Sequence, residues 1–60
     1  MPYEVRWEGG VIPFKDASWA WGESSYLSLM YDTRAEVWRD GEFVVAHVGG
    51  RSVVPVEVSS

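Results

Sequence analysis

His47 is the only histidine in a chain that contains no cysteine, so acid–base chemistry near neutral pH would have to run through one imidazole. A general base needs a nucleophile within hydrogen-bond reach and an acid that orients it. Serines and acids are present, but no Gly-x-Ser-x-Gly elbow and no triad spacing joins them to His47. The histidine stands in Val45-Ala46-His47-Val48, an apolar run in which a structural role is the expectation. Asp40 and Glu42, the nearest pair of acids, flank Gly41. Turn chemistry accounts for Asp40, and pairing with Arg39 across a hairpin accounts for Glu42. A single histidine without thiolates makes no zinc cluster. Gly9-Gly10 and Gly49-Gly50 lack the Gly-Lys-Ser/Thr ending of a phosphate loop. The residues predict a non-enzyme with no metal and no cofactor.

The stretch that stands out is Asp16-Ala-Ser-Trp-Ala-Trp-Gly-Glu-Ser-Ser-Tyr26. Trp19 and Trp21 sit among small residues, between Asp16 and Glu23. Read as a loop over one open end of a barrel, the segment plugs the core with one ring and exposes the other. Trp and Tyr dominate binding hot spots, and exposed clusters of them on a small domain mark interaction surfaces. No lysine or arginine occurs between Lys15 and Arg34, whereas Asp16, Glu23 and Asp32 do. The segment is locally acidic and favours a cationic partner.

Length sets the frame for these residues. A chain of 60 residues makes one domain, spanning 1–60. Such a domain buries only about 60% of the surface its unfolded chain exposes, so it depends on dense packing or association when disulfides and metals are missing. Four Trp, three Tyr and two Phe suit either route. The net charge of −4, from nine acids and five bases, argues against nucleic acid, whose binders carry a basic stripe. No basic-then-apolar leader and no bilayer-length apolar run is present, so a cytoplasmic protein without membrane contact is the expectation.

The elements that must carry these residues read mostly as strands. Tyr3 to Glu8 alternates, with Tyr3, Val5 and Trp7 on one side. Gly9-Gly10 then turns the chain into Val11-Ile12-Pro13-Phe14, where Pro13 requires an edge or irregular strand. Asp40-Gly41 between Ala35–Arg39 and Glu42–Val48 is a strong hairpin signal. Gly49-Gly50 starts a last strand, in which Val54, Val56 and Val58 share a face and Pro55 demands an edge. Both Trp7 and Trp38 are expected in the core. Residues 24–39 are ambiguous. As strands they run from Tyr26 to Tyr31 and from Arg34 to Arg39; as a helix they place Leu27, Met30, Tyr31, Ala35 and Trp38 on one stripe. Tyr, Val, Trp and Thr favour strands. The expected fold is therefore small and all-β, with about five short antiparallel strands in a meander or SH3-like small barrel. The alternative is α+β, two hairpins packed on one helix at residues 25–40.

The function expected from these features is a protein–protein interaction module, such as an adaptor, an inhibitor of phage or plasmid type, or an assembly subunit. Trp19, Trp21 and Tyr26 would be its anchors, and Asp16, Glu23 and Asp32 would meet a basic partner surface. An alternative is self-assembly, with a homodimer formed through the edge bearing Val54, Val56 and Val58. A third reading is a sugar site or an aromatic cage for a methylated ammonium group, built from Trp19, Trp21, Tyr26, Tyr31 and Asp32.

Overall fold

The computed structural model describes residues 2–53 of the chain. Five strands and one helix follow in the order β1 (Tyr3–Trp7), β2 (Gly10–Phe14), α1 (Ala17–Met30), β3 (Arg34–Arg39), β4 (Glu42–Val48) and β5 (Arg51–Val53). The strands form one antiparallel sheet in the order β2-β1-β3-β4-β5, and α1 packs on one of its faces. The five-strand antiparallel sheet agrees with expectation. The sheet is open, with β2 and β5 at its two edges. Pro13 thus lies in an edge strand, as its missing donor requires. Val54, Val56 and Val58 lie outside the described residues.

Register assigns the faces. Val5 stands opposite both Ile12 and Val37, Val37 opposite Val45, and Ala35 opposite His47. These residues, with Tyr3, Trp7 and Phe14, share the face that α1 covers, and Val5, Ala35, Val37 and Val45 are buried there with Ala20 and Leu27. The other face carries Glu4, Arg6, Arg34, Glu36 and Trp38. Trp38 is therefore not in the core as expected. Ala35 and Val37 point inward, and the two-residue period of a strand then turns Trp38 outward. The β3–β4 turn behaves as its sequence demands. Asp40 has φ of +48° and Gly41 of +83°, the pair of positive values a type I′ turn needs.

The expected loop at 16–26 and the expected strand at 26–31 are both replaced by α1. Asp16 holds an extended conformation at the N-cap, and the Ala20 N–H donates to the Asp16 carbonyl at 3.1 Å. No proline and no β-branched residue interrupts Ala17 to Met30. At the far end the Thr33 N–H reaches back to the Ser28 carbonyl at 3.3 Å, with Asp32 left-handed at φ of +52°. That is the Schellman way of ending a helix, with an aspartate where glycine is usual. One helix on a sheet is compatible with the α+β alternative, but the helix expected at 25–40 begins eight residues too late and runs into β3. The physical reason is the composition of the buried stripe, which consists of Ala20, Ser24, Leu27 and Ser28. The spacing is helical, but only one of the four side chains is large and apolar.

Two substitutions test this packing by urea denaturation followed through tryptophan emission. Leu27→Ala removes the one large apolar side chain that α1 buries in the core and is expected to cost about 2–5 kcal/mol. Gly22→Ala lies mid-helix, where an added Cβ meets nothing within 4 Å, and is expected to stabilise by about 0.5–1 kcal/mol.

Candidate functional site

The position of α1 is set by serines. Ser24 Oγ and His47 Nδ1 share a buried hydrogen bond of 2.7 Å that links α1 to β4. The next residue, Ser25, donates its Oγ hydrogen to the Gly50 carbonyl at 2.9 Å, and one turn on from Ser24 the Gly50 N–H donates to Ser28 Oγ at 2.8 Å. Ser28 Oγ in turn donates to the Ser25 carbonyl at 2.9 Å. Both polar groups of the Gly50 backbone are therefore satisfied by α1. Trp21 closes the same side, its ring edge-on to His47 with centroids 5.6 Å apart.

The cost of that arrangement appears on the opposite side of α1. Trp19, Tyr26, Met30 and Leu29 are 68%, 54%, 58% and 61% exposed. Trp19, Glu23, Tyr26 and Met30 fall at i, i+4, i+7 and i+11 and so form one line along the outer face. Glu23 stands within this line, Asp16 at its start and Asp32 just past its end. A surface helix ordinarily turns its large apolar side chains inward. Here most of the order is inverted, with Ala, Ser and a single Leu inside and Trp, Tyr, Leu and Met outside.

The predicted site residues divide accordingly. The structure brings Trp19, Tyr26 and Glu23 together on the outer face of α1, with Asp16 and Asp32 at its ends. Trp21 is separated from Trp19 by roughly 200° of helix rotation and leans on His47 instead. Both rings are exposed, Trp19 at 68% and Trp21 at 42%, so neither plugs the core as the loop reading expected, and the segment is helical instead. Tyr31 pairs with Trp7, their ring centroids 5.1 Å apart. Trp19, Trp21, Tyr26, Tyr31 and Asp32 thus do not converge on a common point, and no cage is formed. Sequence reasoning missed Met30 and Leu29. Their signal was available once the helix was placed, because Met30 follows Tyr26 by one turn.

The sheet face that no helix covers among the described residues has its own order. Glu36 accepts hydrogen bonds from Arg34 Nε at 2.8 Å and from Trp38 Nε1 at 2.9 Å. The Arg6 guanidinium lies 4.0 Å over the Trp38 ring and pairs with Glu4 at 3.4 Å. Phe43 meets Trp38 edge-on at 5.8 Å. The Arg34 hydrogen bond, with that of Trp38 behind it, holds the Glu36 carboxyl below its usual pKa.

Among the described residues no cluster of His, Asp and Glu could hold a metal ion, and no pocket opens. No helix among them is long and apolar enough to cross a membrane. Compared with protein-family models, with curated proteins and with solved structures, the chain matches none.

The histidine makes the seam sensitive to acid. His47 is buried, its Nε2 has no hydrogen-bond partner among the described residues, and burial lowers its pKa below the ordinary 6.5. Below pH 6.5 the unfolded chain then binds a proton that the folded chain resists, so stability falls as pH falls. Above that pH the histidine contributes no slope. Glu36 adds a second loss only below its ordinary value of 4.5, as its folded carboxyl becomes protonated. Melting temperature measured from pH 8 to pH 5 should be flat and then decline, and His47→Leu should remove that decline.

Proposed function

We propose that this chain is a non-catalytic protein–protein interaction module that docks through the outer face of α1. Trp19 and Tyr26 are the anchors, Met30 and Leu29 extend the apolar contact, and Asp16, Glu23 and Asp32 select a partner with a basic rim. The observation that carries this reading is the helix's distribution of bulk, with Trp19, Tyr26, Leu29 and Met30 facing water while alanine, serine and the single Leu27 face the sheet. Folding alone supplies no reason for it, since a helix held by serine contacts would be no less stable with polar residues at 19, 26 and 30. Asp32 supports the same reading. It sits in a left-handed conformation at the negative end of the helix dipole, where a carboxylate is unfavourable, and it keeps the rim acidic.

The non-catalytic part rests on access. The one serine–histidine pair, Ser24 with His47, lies buried beneath α1, and no carboxylate hydrogen-bonds to His47 among the described residues. Recognition would follow the helix-in-groove mode, in which anchors one and two turns apart enter successive pockets of a partner. Self-assembly through the C-terminal edge is a second reading, favoured by the exposed β5 at the sheet margin.

The test is affinity capture with the wild-type chain and with the double variant Trp19→Ala/Tyr26→Ala as baits. The wild type should retain a partner whose binding weakens with salt, and the variant should lose it by more than tenfold. Both baits should unfold within about 0.5 kcal/mol of each other, because the two side chains are exposed. An identical set of retained proteins, or a large loss of stability in the variant, would overturn the assignment.

A further inference from the structure

The molecule has two apolar surfaces on opposite sides. Among the described residues, six of the nine exposed large apolar side chains belong to α1 or the residue after it, namely Trp19, Trp21, Tyr26, Leu29, Met30 and Tyr31. The other three are Val11, Val48 and Val53. Register places all three on the uncovered sheet face, since Val11 stands opposite Arg6, Val48 opposite Arg34, and Val53 opposite Ala46 in the row of Glu36. Trp38 and Phe43 lie half-buried on that same face.

Charge separates in the same direction. The α1 side carries Asp16, Glu23 and Asp32 with no base between Lys15 and Arg34. The uncovered sheet face carries Arg6, Arg34 and Arg51 against Glu4 and Glu36. Arg6 pairs with Glu4 and Arg34 with Glu36, while Arg51 takes part in neither pair. One surface is therefore apolar and acidic, and the other apolar with a surplus of arginine.

We propose that the outer face of α1 in one molecule docks on the uncovered sheet face of a second copy, joining subunits head to tail. The proposal rests on the reading of α1 as a binding face and names its partner. Helix on sheet is the packing that already covers the other side, and a helix on each face of a sheet is a stable layered arrangement. Dimensions agree. The 14 residues of α1 span about 21 Å, and the outermost of five strands lie about 19 Å apart. A symmetric pairing of α1 with α1 is disfavoured, because Asp16, Glu23 and Asp32 would face like charges. A single helix on a small sheet buries an area at the low end of specific interfaces, so the contact is weak and concentration-dependent.

The experiment is sedimentation velocity from about 10 µM to about 1 mM, the range in which small interfaces assemble. Three samples are compared: wild type, the helix-face variant Trp19→Ala/Glu23→Arg, and the sheet-face variant Arg34→Glu/Val48→Glu. The wild-type mass should rise without a plateau at dimer, because a head-to-tail contact leaves a free surface at each end. It should fall back several-fold in 0.5 M salt, where screening shortens to a few ångströms. Each variant alone should remain monomeric. Their equimolar mixture should form a 1:1 heterodimer and stop there, since one intact face of each kind remains. Melting curves check that both variants are folded, with Glu23→Lys and Arg51→Glu as substitutes if either is not. A wild type that stays monomeric overturns the second copy as partner, while the capture experiment still judges α1 as a binding face. A dimer unaffected by either variant overturns the helix-on-sheet contact and assigns association to the strand edge, and the capture experiment again judges α1 as a binding face.

Discussion

Everything on the outside of this protein follows from how α1 is attached on the inside. Ser24, Ser25 and Ser28 reach His47 and the Gly50 backbone with hydrogen bonds of 2.7 to 2.9 Å, and these contacts replace much of the apolar burial that a helix ordinarily uses. Hydrogen bonds of this kind contribute modestly each, but leaving any of the buried groups unpaired would cost more than the bond contributes. The helix is thereby held at a fixed rotation, because turning it would strand Ser24, Ser28 and His47 without partners.

A fixed rotation has consequences for the rest of the side chains. Four buried positions, three of them small, Ala20, Ser24, Leu27 and Ser28, define the inner stripe. Trp19, Tyr26 and Met30 then have no choice but to face solvent, and Trp21 is carried to the flank, where it covers His47. The apolar core is supplied mainly by the sheet, through Val5, Ala35, Val37 and Val45, with Tyr3, Trp7, Ile12 and Phe14 around them. The division of labour is unusual for so small a domain. Its strands provide the burial, while its helix provides polar locking inside and apolar surface outside.

The same division produces the polarity of the molecule as a whole. Strand alternation puts Arg6, Arg34 and Trp38 on the face away from α1, and the absence of bases in the helix segment leaves the other side acidic. The Glu4–Arg6 and Arg34–Glu36 pairs, with Arg6 over Trp38, keep the uncovered face ordered while leaving Val48 and Val53 in contact with water.

Much of this was legible in the residues themselves. The alternation of Tyr3 to Trp7, the Asp40-Gly41 turn, the strands on both sides of it and the edge position of Pro13 are properties of local chemistry, because φ preference and a two-residue period act within a few residues. The locally acidic character of 16–33 was legible for the same reason. The helix was not. Trp, Tyr and Gly lower helical propensity, and a buried stripe of Ala and Ser leaves no hydrophobic period to read, so α1 exists through contacts with His47 and Gly50 that lie 22 to 25 residues away. Which tryptophan leans on His47 was decided by the same distant contacts. Trp38 shows the converse case, since its outward direction follows from strand period alone once Ala35 and Val37 are known to point inward. Sequence determined the strands, turns and charge of this protein, and tertiary structure decided the helix and everything it displays, because only a folded sheet offers serines their partners.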